Sequence, residues 1–117
     1  MDFTVKCYET KDGRCPVRAF LDDLKSSGPG DFAAIVAGLA KLRQRQYHRE
    51  PLSKALGDGL LELRHVGKLN TRSFWFFMKG RRVIAAHGVR NKGRSIPARD
   101  LDTARARMKD WLQRNLA

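Results

Sequence analysis

Arginines at 64 and 72, a histidine at 87 and cations at 90, 92 and 94 are the residues whose types and spacing could do chemistry together in this chain of 117 residues. All fall in one stretch, 60–97, reading LLELRHVGKLNTRSFWFFMKGRRVIAAHGVRNKGRSIP. Metal-free RNA cleavage needs such a set. A base takes the proton of a ribose 2′-OH, cations hold the pentavalent phosphorane, and an acid protonates the leaving 5′-oxygen. Arginine and lysine supply charge, and histidine is the side chain that ordinarily titrates near neutral pH. A plainer explanation stands beside this one: His87 as a half-buried sheet residue bonded to a carbonyl, and Arg64 and Arg72 paired with Glu62 or Asp58. On residue chemistry alone the plainer explanation is slightly favoured.

The elements that position these residues follow from the pattern. Runs at 60–66, 71–78 and 82–89 are rich in Phe, Trp, Val and Ile, with Gly-containing breaks at Gly67 to Asn70 and at Lys79-Gly80-Arg81. They read as an antiparallel meander. Alternate strand residues share a face, as do residues directly opposite one another. A two-residue second loop puts Arg72, Phe74, Phe76 and Met78 with Val83, Ala85, His87 and Val89. Trp75 and Phe77 then lie on the other side, under the helices. Arg72 and His87 share a face, at most one rung apart, and Phe74 and Phe76 are expected as exposed aromatic surface between the cations. A three-residue first loop adds Arg64 and Glu62 to that face, whereas a two- or four-residue loop sends them across; the three-residue option is adopted.

Around the meander, Phe3, Val5 and Cys7 alternate with polar residues as a strand would. Pro16 opens a helix over 16–25 striped by Val17, Phe20, Leu21 and Leu24, and Asp31 N-caps a second over 31–47. Residues 52–59 read as a connection. Pro97 opens a third helix, 97–114, with Leu101, Ala104, Met108, Trp111 and Leu112 inward; its arginines, Arg107 among them, fall largely outside that stripe. The order β-α-α-β-β-β-α predicts one α+β domain over 1–117, an antiparallel sheet with helices on one face.

Composition narrows the partners. The net charge is +12, and residues 32–117 carry nineteen Lys/Arg against six Asp/Glu. That imbalance points to a polyanion, nucleic acid first, with an acidic protein surface as the compatible alternative. Arg45 and Arg49, in the basic run that ends the second helix, together with Lys54, Arg90 and Arg94, are the candidate nucleic-acid contacts. The basic run also has a structural explanation, since a helix C-terminus welcomes cations. No apolar run is long enough to span a bilayer, and no signal-peptide pattern opens the chain. Cys7 and Cys15 lack partners at metal-ligand spacing and read as reduced thiols. No metal or cofactor is expected.

The ordered set Gly59-Leu60-Leu61-Glu62-Leu63-Arg64, Arg72 opening an aromatic strand, His87-Gly88, Lys92 and then Pro97 resembles the RelE/HigB/ParE superfamily. More narrowly, it is similar to the phage-derived HigB-type toxins of type II toxin–antitoxin pairs. The resemblance runs the length of the chain. It implies a RelE-like fold, a cytoplasmic toxin that cleaves mRNA on the translating ribosome without metal, and a hetero-oligomer with a cognate antitoxin, a small helix-turn-helix protein. It assigns Arg64, Arg72, His87 and Lys92 as catalytic. Two positions depart from the pattern: Val89 replaces the usual Phe after His-Gly, and Asn91 stands where the first of two lysines is usual, beside Arg90. Tyr8 and Tyr47 are not placed to serve as the catalytic tyrosine of some relatives. Two rival readings are a ParE-like gyrase inhibitor without hydrolytic activity and a non-catalytic basic RNA-binding module.

Overall fold

Proline at the start of a helix loses nothing by its missing N–H. Pro16 and Pro29 open α1 (Pro16–Ser27) and α2 (Pro29–Lys41) in this way. The computed structural model describes residues 2–64, 71–90 and 95–115. Its strands are β1 (Thr4–Cys7), β2 (Ser53–Gly57), β3 (Leu60–Arg64), β4 (Thr71–Met78) and β5 (Arg82–Arg90), and α3 (Ala98–Arg114) closes the chain. The α+β class holds, and the element order roughly fits a RelE-like domain, with one strand more than expected. The second helix is shorter than 31–47. It ends at Lys41, and a 3-10 turn at Arg45–Tyr47 follows, since the polar run after Leu42 has no apolar stripe to bury. Asp31 is not its cap but a buried member of its first turn.

The extra strand is the segment expected as a connection. β2 pairs antiparallel with β3 across Asp58-Gly59, whose φ values of 57° and 89° are both positive. Two left-handed residues make a type I′ turn, the hairpin for which Asp-Gly is a strong signal.

The sheet order is β1-β5-β4-β3-β2, and β1 runs parallel to β5, so the sheet is mixed rather than wholly antiparallel. Helices cover both faces rather than one. On one, Val17, Leu39 and Leu42 pack on Leu63, Trp75, Val83 and Ala85. On the other, Ala104 and Met108 of α3 pack on Leu60, Phe74, Phe76, Ile84 and Ala86. Phe74 and Phe76, expected at the surface, are therefore fully buried, while Phe77 is 43% exposed. Continuous apolar sequence without alternation marks a strand covered on both sides, and β4 reads that way.

The β4–β5 loop has three residues, not two, because Met78 pairs with Arg82. That loop alone would turn His87 toward α1. A bulge restores the expected face: Trp75 pairs with Ala85 but Phe74 pairs with His87, leaving Ala86 as the extra residue.

Candidate functional site

Two rungs of the α3-facing surface carry the site. On one, Lys54, Glu62, Phe74 and His87 lie side by side across β2, β3, β4 and β5. On the next, Arg64 pairs with Arg72 and Arg72 with Val89. The expected sharing of a face by Arg64, Arg72 and His87 is what the registers give. The connection between Arg64 and Arg72, whose length was expected to decide this, lies outside the described residues.

Like charges directly opposite one another repel, and Glu62 answers that repulsion between the two arginines. Its side chain is 1% exposed; Arg72 Nη1 donates to its Oε1 at 3.0 Å, and Arg64 Nε lies 3.9 Å away. Arg64 and Arg72 keep 43% and 23% of their side chains in solvent. The pairing with Glu62 weighed in the sequence is therefore real, and it leaves part of each guanidinium facing outward.

His87 is held on three sides. Its ring stacks on Phe74 at 6.1 Å between centroids and 12° between planes. Arg107 Nη1 lies 3.0 Å from Nδ1 and also donates to the Ala86 carbonyl at 3.0 Å. Asp100 Oδ1 lies 2.8 Å from Nε2. A guanidinium can only donate, so Nδ1 is the acceptor and the ring proton sits on Nε2, directed at Asp100. The carbonyl partner weighed in the sequence is replaced by these two side chains. Asp100 stands in the first turn of α3 and Arg107 lies seven residues on, so both share the helix face above His87. Burial lowers the Arg107 guanidinium from its ordinary value, with Tyr8 and Cys15 acting the other way. Asp100 and Arg107 had not been singled out; the helical spacing between them was the available signal.

The remaining cations scatter. Arg90 is on the opposite face, where its Nε meets Asp31 Oδ2 at 3.2 Å and its guanidinium lies against Gly28. Lys92 and Arg94 lie outside the described residues. Arg45 joins Arg81 in a concavity at the far end of the sheet, and Arg49 is exposed beyond the 3-10 turn. Lys54 is exposed on the Glu62 rung. Among the described residues no group of three His, Cys, Asp or Glu is placed to hold a metal. No helix among them is long and apolar enough to cross a membrane.

The arrangement can present two cations to a phosphate beside a neutral imidazole. No curated protein matches the chain. The family described as phage derived protein Gp49-like (DUF891) matches residues 20–109, from within α1 to within α3 and across every strand that builds the site. The chain belongs to that Gp49-like family, which is associated with RelE-type toxins.

Proposed function

We propose that the chain is the toxin of a type II toxin–antitoxin pair, a HigB-type member of the RelE/HigB superfamily that cleaves mRNA on the translating ribosome in the cytoplasm. Membership of the Gp49-like family is consistent with a toxin of a toxin–antitoxin system. The observation that carries the enzymatic reading is the pairing of Arg64 opposite Arg72, one rung from His87. The outward parts of the two guanidiniums bind the scissile phosphate and the charge that grows on it. Release of Arg107 from Nδ1 lets His87 accept the 2′-OH proton. The 2′-oxygen attacks phosphorus, the bond to the 5′-oxygen breaks to leave a 2′,3′-cyclic phosphate, and the departing oxygen takes a proton from water. Lys92, in the segment that follows β5 in sequence, adds charge, and Lys54 extends the cationic surface along the rung. The cognate antitoxin, a small helix-turn-helix protein with an acidic segment, covers this face and competes with RNA.

The test is single-turnover mRNA cleavage on programmed ribosomes, with binding measured in parallel. His87→Gln slows cleavage by about 10²–10⁴-fold with binding nearly intact. Arg72→Ala slows it by roughly 10²–10³-fold. Wild-type cleavage by His87→Gln removes His87 from the mechanism.

One observation favours a second reading, in which the face grips without hydrolysis. Both ring nitrogens of His87 are already engaged, by Arg107 and Asp100. Gyrase inhibition by a wild-type chain that cleaves nothing would establish that ParE-like alternative.

A further inference from the structure

The aromatic surface expected beside the catalytic cations exists elsewhere. Among the described residues Phe77 is the one large aromatic side chain on the surface, 43% exposed, and it faces away from Arg64, Arg72 and His87. Leu60 opposite Phe76 is the last pair of the β3–β4 ladder, so Phe77 has no β3 neighbour to cover it. The ring is nevertheless fixed from behind. Trp75 meets it at 4.9 Å and 82°, His48 at 5.0 Å and 72°, and Phe3 lies 5.9 Å away. His48 is itself anchored by an Nε2 contact of 2.6 Å with the Leu42 carbonyl.

Arginines lie on the chain next to this cluster. Phe3 N–H donates to the Arg43 carbonyl and Thr4 N–H to the Arg81 carbonyl, so the main chain of both arginines adjoins the strand that carries Phe3. Arg45 and Arg81 line one concavity with Asp2, Gln44 and Gln46. Asp2, the carboxylate there, is 3.6 Å from Arg43. Arg45 and Arg81 are exposed, and neither has a carboxylate within 4.0 Å among the described residues.

We propose that Phe77, Arg45 and Arg81 form a second nucleic-acid contact, on the face opposite Arg64 and Arg72, that stacks an unpaired base of single-stranded RNA and holds its flanking phosphates. A fixed exposed ring, with exposed arginines nearby in the fold that have no carboxylate partner among the described residues, is the combination that single-stranded RNA uses, because every base has a π-face and every linkage a charge. A protein partner would be expected to want an apolar groove for several side chains, whereas the feature here is one ring. A duplex would leave the ring unused. The contact is independent of cleavage. It gives the chain a grip on an RNA segment other than the one being cut.

The experiment uses the full chain carrying Arg64→Ala and Arg72→Ala, so that the catalytic face no longer competes. A short fluorescent oligouridylate is the probe, and thermal unfolding confirms that this parent and each further variant are folded. Phe77→Leu, which keeps the apolar packing and removes the π-face, is expected to weaken binding about tenfold, and Phe77→Tyr to restore it. Arg45→Ala with Arg81→Ala is expected to lower the slope of log affinity against log salt by about 1.4, the loss of two single-strand phosphate contacts. Unchanged binding by Phe77→Leu overturns the proposal. So does loss of all binding in the Arg64→Ala, Arg72→Ala parent, or perturbation of Phe77 by an acidic helical peptide with no response to the RNA. None of these outcomes bears on whether wild-type protein cleaves mRNA on ribosomes.

Discussion

Arg107 donates to Nδ1 of His87 at 3.0 Å, while Asp100 receives the proton on Nε2 at 2.8 Å. One guanidinium and one carboxylate thereby fix which ring nitrogen carries hydrogen. Long-range ¹⁵N–¹H spectra at neutral pH should show the Nε2–H form. Asp100→Asn removes the charge that holds this proton and is expected to cost about 0.5–1.5 kcal/mol, the range of one partly buried hydrogen bond. The opposite tautomer in the wild-type protein would contradict the arrangement.

Glu62 is the counterweight to two arginines on adjacent strands. Glu62→Gln keeps the volume but leaves Arg64 and Arg72 facing one another uncompensated. Both arginines are partly solvated, so the expected loss is about 1–3 kcal/mol in urea unfolding, below the cost of breaking a fully buried pair. Adding Arg72→Met should cost less in the Glu62→Gln background than alone, a coupling that a double-mutant cycle measures. Additive losses would mean that Glu62 holds neither arginine.

Gly88, following the candidate catalytic histidine, is a packing residue for the opposite face. A Cβ there would run into the Phe20 ring of α1. Gly88→Ala is therefore expected to destabilise the fold by about 1–3 kcal/mol. Phe20→Leu should recover part of that loss in the double variant, read as a rise in melting temperature over Gly88→Ala. No recovery would locate the strain elsewhere.

Alkaline pH should weaken the fold through two neighbours on β1 and its end. Burial first, and Cys15 alongside, push the Cys7 thiol from 9.0 to about 11. Burial first, then the Tyr8 Oη–Asp110 hydrogen bond, raise Tyr8 from 10.0. Each group holds its proton more tightly in the folded chain. Its contribution is fully present below the unfolded value and is lost as pH rises through the folded one. The urea midpoint should accordingly decline from about pH 9 upward, and Cys7→Ala with Tyr8→Phe should flatten that decline. Cys7 and Cys15 are both free thiols, so the cleavage proposed above is expected to be indifferent to dithiothreitol. EDTA should be without effect as well.

Much of this architecture was legible because its periods are strong. The stripes Val17-Phe20-Leu21-Leu24 and Leu101-Ala104-Met108-Trp111 repeat at helical spacing, and α1 and α3 stand within about two residues of where they were expected. Arg64 joined the Arg72 face only on the adopted three-residue first loop, and the register that puts them opposite one another agrees with that choice. The exposure of Phe77 rather than Phe74 was not legible. Phe74 to Phe77 is apolar on both parities, and which ring stays outside is decided by β3 starting opposite Phe76. The partners of His87 were hidden for a different reason. Asp100 and Arg107 reach it through the docking of α3 on the sheet, which no local pattern encodes. The β2 hairpin, by contrast, was written in Asp58-Gly59 and could have been read.

The bulge at Ala86 makes the identity of the site a matter of chain length as much as of side-chain chemistry. With Ala86 deleted, regular pairing onward from Ala85 would put histidine opposite Phe74 one position sooner, and the faces would survive. With the bulge instead smoothed into regular pairing, histidine would fall opposite Ser73, buried beside Phe20 and far from either arginine. The strand therefore acts as a gearbox with one tooth to spare. Below the bulge it meshes with a core filled on both sides; above it, the same strand turns an imidazole toward the arginines and a bare glycine toward the helix behind. Substitutions that relax this single irregularity could silence the face while every residue on it stays in the sequence.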